Sequence, residues 1–476
     1  MNASYRSLFR VEGRCRLRPI LLALCTSAVL LAIASPGVVA AGPKGAPAAP
    51  TYPLYRLIDL GTLGGPNAAP VFPGVVLNNR GDVIAQASTS TPDPYPVPLQ
   101  DGFIWHGILS NAAGVVRDLG ALPGTNHSLP SGIAANGLIA GFSSNGAVDP
   151  LTGFDQVRAV FWDQHLTIVD LGTLGGNTSV ANHLNGHGQV VGAATNAVPE
   201  DPDVASFFLS LPAAQQVRAF LWQNGSMRDL GTLGGNNASA MFPNESGAVC
   251  GFSSTGNEIN DTTGLPTIHP FMWKNGKMQD LGSLGGSRAM PGSFANGPWG
   301  RVMNERGDVV GTSMLPGDDT WHAFIWSNGH MIDLGTLGGS ISEAYAINDA
   351  GQVVGRARVS DAPVVRHAFL WEKGTMTDLG TVGACIRGTA TSINSKGQIV
   401  GGLGACTDDS GDLTFNRPFY VEKGKPMVDL NSLVDPPSDL YMDEAMFINE
   451  RGEILAGAFT PTGETRAVLL VPLPGR

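Results

Sequence analysis

Charged side chains are scarce in this chain, 14% of 476 residues, and runs that favour helix are scarcer. Short stretches of Val, Ile, Thr and aromatic residues alternate instead with Gly and Asn, a composition that suits short strands and tight turns and excludes an α-rich fold. Basic residues are in deficit, 29 against 40 acidic ones. Phosphate binding needs a basic footprint, so nucleic acid is excluded as a partner. After the first forty residues no segment is apolar over the about 20 residues that a membrane span takes. A catalytic signature is also absent: no nucleophile stands with a base, and the Gly-rich segments end strands, where a phosphate cradle opens a helix. His183 and His187 are four apart, but a turn separates them from any helix. Paired carboxylates for glycoside cleavage could come from the acidic segments, yet nothing selects which two. The chain thus leans away from an enzyme while leaving that question open, and it implies no cofactor, with weak Ca²⁺ binding the one exception considered.

What is present begins with an export signal. Arg6, Arg10, Arg14, Arg16 and Arg18 make a basic start, and an apolar run follows from Ile20 to Ile33. Val38-Val39-Ala40 before Ala41 fits a cleavage site, with Ala32-Ile33-Ala34 as the competitor. Cys25, Thr26, Ser27 and Pro36 break the run, which favours cleavage over a retained anchor. Leu24 precedes Cys25 where a lipoprotein signal has a small residue, and there is no twin-Arg pair. Cleavage at residue 40 takes the 29 basic residues to 24 and the 40 acidic ones to 39, a net charge of −15. The mature protein is expected to be secreted or periplasmic, monomeric and without a stable membrane span. Residues 41–51 read as a flexible Pro/Ala leader, and order is expected from Tyr52.

From Tyr52 onward the chain repeats. Asp-Leu-Gly-Thr-Leu-Gly-Gly stands intact at Asp59–Gly65, Asp170–Gly176, Asp229–Gly235 and Asp333–Gly339, and near copies begin at Asp118, Asp280, Asp378 and Asp429. Residues 340–383 hold one clear unit. Ser342–Asn348 alternates, Asn348-Asp349-Ala350-Gly351 turns, and Gln352–Arg356 is a second strand. A polar linker, Ala357–Arg366, leads to a third strand, His367–Trp371; Glu372-Lys373-Gly374 turns again, and Thr375–Leu379 is the fourth. Four short antiparallel strands in about fifty residues is the signature of a propeller blade.

The first turn closes on Gly eight times, and Asn stands three residues earlier in seven of them; Ala134 is the exception. The third strand carries Trp105, Trp162, Trp222, Trp273, Trp326 and Trp371. The chain opens on a fourth strand, Tyr55–Leu60, and closes on a third, Ala467–Val471. Joining the two completes an eighth blade and leaves no raw edge. A linear solenoid would need polar caps at its ends, and none is visible. The expected fold is all-β: an eight-bladed propeller of four-stranded blades, about 52 residues each, over residues 52–476.

His367-Ala368-Phe369-Leu370-Trp371, His322-Ala323-Phe324-Ile325-Trp326 and the Asp-Leu-Gly segments resemble the HAF-repeat proteins of bacterial extracellular space. The likeness runs from about Tyr52 to Pro472. His holds its place at His269, His322 and His367 only, with Arg158 and Arg218 replacing it in two other units. The resemblance implies a secreted repeat protein and supplies no catalytic residues.

The eight Asp residues (Asp59, Asp118, Asp170, Asp229, Asp280, Asp333, Asp378 and Asp429) are read as structural, each carboxylate accepting N–H groups of its own Gly-rich turn. A ring of cation ligands is the alternative, but outer-strand positions hold the carboxylates far apart. The Trp residues are read as filling between blades. Binding is placed on the face where the second and third strands meet, because the linkers there vary and are acidic. The candidates are Glu200, Asp201, Asp203, Asp318, Asp319, Trp321, Asp408, Asp409 and Asp412. Hard oxygen ligands cluster at Glu200-Asp201-Pro202-Asp203 and Asp408-Asp409-Ser410-Gly411-Asp412, although neither forms an EF-hand loop. The expected task is binding an extracellular glycan or protein. The alternatives are a hydrolase or lyase acting on extracellular polysaccharide, and a structural envelope or matrix protein. Pairing Asn394 with Gly397 across the seventh turn sets Cys385 opposite Cys406 and predicts a disulfide. Cys250 is expected to be a buried, inert thiol.

Overall fold

The computed structural model describes residues 51–71, 74–93, 101–123, 127–294, 300–407 and 416–474. The export signal lies outside them, as do all of the leader except Thr51 and the candidates Asp408, Asp409 and Asp412. Among the described residues, all regular structure is strand except the helix Pro202–Leu209 and the 3-10 turn Leu430–Leu433.

The unit read from sequence at 340–383 folds as four consecutive antiparallel strands: Ser342–Ile347, Val353–Asp361, Val364–Glu372 and Thr375–Asp378. Its first strand is buried along its whole length, which is why it is built of Ser, Ala, Tyr and Ile with one acidic residue. The arrangement recurs as six four-stranded sheets and one eight-stranded sheet, in which a single parallel bridge, Arg366 to Arg387, joins two four-stranded units. At the chain ends, Tyr55–Asp59 pairs with Thr465–Pro472 and completes the sheet begun by Tyr441–Ile448. The first-strand hairpins carry a one-residue shift at the same place, between Pro130 and Gly132, Ala181 and His183, Ala240 and Phe242, Ala344 and Ala346, and Ala390 and Ser392. In the seventh unit that bulge restores the register in which Cys385 faces Cys406, and the two are bonded with Cα atoms 3.9 Å apart.

The recurring Asn has a reason that sequence reasoning left unstated. In the sixth unit, Asn348 Oδ1 accepts the N–H groups of Ala350 and Gln352 at 3.1 and 3.0 Å, shaping its own turn. Its Nδ2 donates to the carbonyl of Asn394 in the next unit at 3.0 Å. The same donation runs from Asn185 to Asn244, Asn244 to Asn304, Asn304 to Asn348 and Asn394 to Asn449. It then returns from Asn449 to Asn78, and from Asn78 to Ala134. Ala134, which has no side-chain donor, is the break.

Apolar clusters fill the space between neighbouring sheets. Val354, Ala368 and Leu370 of the sixth unit pack with Ala390, Leu403 and Phe419 of the seventh. Phe419 lies over Gly401 of the adjacent strand, where a Cβ would come within 2.8 Å of the ring. The Thr389 carbonyl stands closer still, at 2.0 Å, and the matching first-strand carbonyl lies 2.0–2.2 Å from the equivalent position at Gly141, Gly192, Gly251, Gly311 and Gly355, which explains the glycine that recurs there.

Three expectations need correction. Most of the linker residues are strand: Val353–Asp361 and Val364–Glu372 leave a two-residue connection where a ten-residue polar linker was read. Those residues are polar because the strand ends project into water. The Glu200–Asp203 string opens a helix: Asp201 is its N-cap, accepting from Asp203 and Val204 N–H at 2.9 and 3.3 Å, with Pro202 in the first turn. Trp105 is out of phase with the other Trp residues. Ile108 faces Asp118 as Phe324 faces Asp333, so Ser110 holds the Trp slot, and Trp105 matches Trp321.

Candidate functional site

The recurring Asp residues sit where the outer strand leaves each unit. One oxygen of each accepts the backbone N–H two residues on, from Gly335 to Asp333 at 2.7 Å and likewise in the other seven units. The carboxylate also meets a basic side chain of the third strand. His106, His269, His322 and His367 approach Asp118, Asp280, Asp333 and Asp378 at 2.8–3.0 Å. Arg158, Arg218, Arg417 and Arg466 approach Asp170, Asp229, Asp429 and Asp59 at 3.0–3.9 Å. A basic residue, His or Arg, therefore stands in all eight units, at His106, Arg417 and Arg466 as well as the five read from sequence. The out-of-phase Trp105 had hidden His106. A spacing of eleven or twelve residues from cation to Asp was the signal available. Burial raises the Asp118, Asp280 and Asp333 carboxyls, but the His partner and the Gly N–H outweigh it and hold them below the ordinary carboxylate value.

The connection after each Asp runs against the end of the second strand. Leu63 bridges Thr89, Leu174 bridges Asn196, and Gly339 N–H donates to the Arg358 carbonyl. The Asp-Leu-Gly segments and the second-to-third-strand connections thus share a face. Several candidate acids on that face are engaged in shaping it. Glu200 Oε2 accepts from Asn236 and Asn237 Nδ2, both at 3.0 Å. Asp318 Oδ1 accepts the Ser287 N–H at 2.7 Å. Asp203 and Asp319 are exposed. Among the described residues, no group of three or more His, Cys, Asp or Glu side chains is placed to hold a metal ion.

Trp321 leads to a different constellation. Its Nε1 donates to Glu343 Oε1 at 3.0 Å, and its ring meets Phe294 edge-on at 6.1 Å. Glu343 is buried, and its other oxygen accepts from Arg356 Nε and Nη2 at 2.7 and 2.6 Å and from the Tyr345 hydroxyl at 2.7 Å. Trp321, Ile341, Glu343, Arg356, Arg358 and Arg366 line a cleft of about 40 Å³. Arg366 and Arg387 adjoin across the parallel bridge, and their Nε atoms are dry and have no hydrogen-bond partner among the described residues. Burial, then the nearby Arg356 and Arg387 charges, push the Arg366 guanidinium down to about 10. Glu444, on the first strand of the last unit, is pushed up to about 8 by burial and by Asp443, against the pull of Arg356. Sequence reasoning weighed Arg356, Arg358 and Arg366 only as a minority of basic residues against the linker acids, and so missed that they gather with Arg387. Four arginines between residues 356 and 387 in a chain poor in charge were the visible signal.

Large exposed apolar side chains gather on the same face. Val148, Leu151 and Phe154 stand at one hairpin tip, Val198, Ile259 and Val364 at others, and Ile386 near the start of a first strand; Phe154 is 60% exposed.

No protein-family model matches the chain, and no curated protein does. Among solved structures it is similar to the β-propeller domain of the Trilobed protease from Pyrococcus furiosus, at 9% identity and TM-score 0.42, over 76% of this chain and 95% of that one. It is also similar to an acylaminoacyl peptidase of Pyrococcus horikoshii, at 11% identity and TM-score 0.42, over 82% of this chain. That match spans 57% of the peptidase. A third likeness is to a protein of unknown function from Dyadobacter fermentans, at 9% identity and TM-score 0.34, over 88% and 98% of the two chains. Among the described residues the chain is all-β but for one short helix and one 3-10 turn, and is built from four-stranded antiparallel units.

Proposed function

We propose that this chain is an exported HAF-type repeat protein, folded as a closed eight-bladed propeller, that binds an extracellular ligand through the face where the second and third strands meet. The apolar hairpin tips carry the reading. Val148, Leu151, Phe154, Val198, Ile259 and Val364 are large and exposed at second-to-third-strand connections on that face, and they outnumber the large exposed apolar residues elsewhere, Leu54, Val115, Val169, Ile332 and Ile386. Exposing them costs solubility unless something covers them. Ring closure is supported by the pairing of Tyr55–Asp59 with Thr465–Pro472 and by the Asn contacts that pass from the last unit to the first. The basic, apolar N-terminus supports export. The test is a glycan array and an extracellular-protein pull-down with the exported chain, repeated with Leu151→Ser and Phe154→Ser together. Binding that survives the double substitution and tip substitutions at Val198 and Ile259 would overturn the assignment of the face.

A hydrolase is the second reading, favoured by Glu444. A carboxyl that stays protonated at neutral pH beside the Arg356 charge has the form of a general acid. Polysaccharide hydrolysis that disappears in Glu444→Gln would establish it. No turnover across an acidic and neutral polysaccharide panel would remove it.

A further inference from the structure

The arginine cleft deepens the binding reading, on which it rests, by naming the chemistry of the ligand. Arg356, Arg366 and Arg387 stand together, yet only Arg356 is satisfied, by Glu343. Arg366 and Arg387 repel one another and have dry Nε atoms with no acceptor. Glu444 brings no countercharge while it is protonated. Arg358 is held by Asp361 at 2.8 Å. Among the described residues, three guanidinium groups therefore share one carboxylate. Half-buried guanidinium groups that crowd one another, with dry and unbonded Nε atoms, favour an anion as their partner.

The walls narrow the choice of anion. A guanidinium fork matches a carboxylate in two parallel hydrogen bonds. Beside the forks lie the Trp321 indole and Ile341, a flat apolar wall that suits the face of a sugar ring. The enclosed space is only about 40 Å³, far below the roughly 300–1,000 Å³ of sites for drug-sized ligands, so it admits a carboxylate group while the ring that carries it stays at the mouth. We propose that this cleft binds a uronate residue of an acidic polysaccharide, its carboxylate on Arg366 with Arg387 behind it, and its ring against Trp321.

The test is calorimetry of the full exported protein with trigalacturonate, a neutral trisaccharide of the same linkage, and hexaglutamate. Trigalacturonate should bind and weaken with added salt, and the neutral sugar should not bind. Arg366→Gln and Arg387→Gln should each weaken trigalacturonate at least tenfold. Without ligand, each should leave the melting temperature unchanged or raise it, because a repulsion is relieved. Arg366→Lys keeps the charge, loses the fork and should also lose most of the affinity. If Arg366→Gln fails to fold, Arg366→Lys decides the matter. Uronate binding unchanged in these variants overturns the site. Hexaglutamate binding as tightly as trigalacturonate overturns the sugar assignment. Failure of trigalacturonate alone, with other array ligands still captured through the hairpin tips, sinks this inference and leaves the binding face standing; failure of every ligand sinks both.

Discussion

Replacing Asn348 by Ala should cost about 2–4 kcal/mol of stability. The side chain is 3% exposed. It accepts two backbone N–H groups of its own turn and donates to the Asn394 carbonyl of the next unit. Ala350 N–H stands near the surface of the turn and can be taken over by water, but Gln352 N–H begins a buried strand. One orphaned buried donor costs about 1–3 kcal/mol, and the lost bond to Asn394 adds about 0.5–1.5 kcal/mol. The converse experiment uses the natural gap. Ala134 is the one first-turn position without the donor, so Ala134→Asn should complete the series toward the Asn185 carbonyl and stabilise by about 0.5–1.5 kcal/mol. Equilibrium urea unfolding, with the disulfide intact, reads both. A cost below about 0.5 kcal/mol for Asn348→Ala, together with a loss on Ala134→Asn, would refute the idea that these side chains tie the units together.

Other substitutions probe other links. Cys385→Ser with Cys406→Ser opens a loop of 21 residues' separation, and chain entropy sets the expected loss at about 3 kcal/mol; intact mass with and without reduction verifies the bond first. His183 is fully buried between units, accepting the Val75 N–H on Nε2 at 3.1 Å, and burial pushes it down to about 4. Its folded value lies below its unfolded 6.5, so the stability is whole above pH 6.5 and falls toward pH 4. The drop attributable to this group is about 3 kcal/mol; His183→Gln should flatten that slope, and an unchanged pH profile would count against it. Asp333→Ala frees the Gly335 N–H to water and strips His322 of its partner, at about 0.5–1.5 kcal/mol near neutral pH, the net worth of an exposed hydrogen bond. The depressed Asp333 value means the wild-type advantage holds above 3.8 and fades as pH falls through the lower folded value. Thermal melts of the variant and wild type at pH 7 and pH 3 should therefore converge at the lower pH.

The alternating strands, the Asn-to-Gly turns and the Cys385–Cys406 pairing were all legible in the chain, because each depends on neighbours within one hairpin. The structural role of the Asp residues was legible for the same reason: donor and acceptor are two residues apart. The Glu200–Asp203 string shows the opposite case. An Asp-Pro-Asp start serves a helix cap or a cation loop equally well, and only the packing of Val204, Ala205, Phe208 and Leu209 into the core decides for the helix. Trp105 misled because a Trp near a third strand resembles the others until the pairing of Ile108 with Asp118 fixes its phase.

The sequence by itself determined the repeat, the strand order and the all-β class, since periodicity and turn chemistry are local properties of the chain. Tertiary structure decided everything that crosses from one unit to the next. Asn449 reaches the carbonyl of Asn78 across 371 positions, and Arg387 comes beside Arg366. Whether an arginine is paired or left bare depends on what the neighbouring sheet brings within 3 Å of it, and no spacing along a single chain records that.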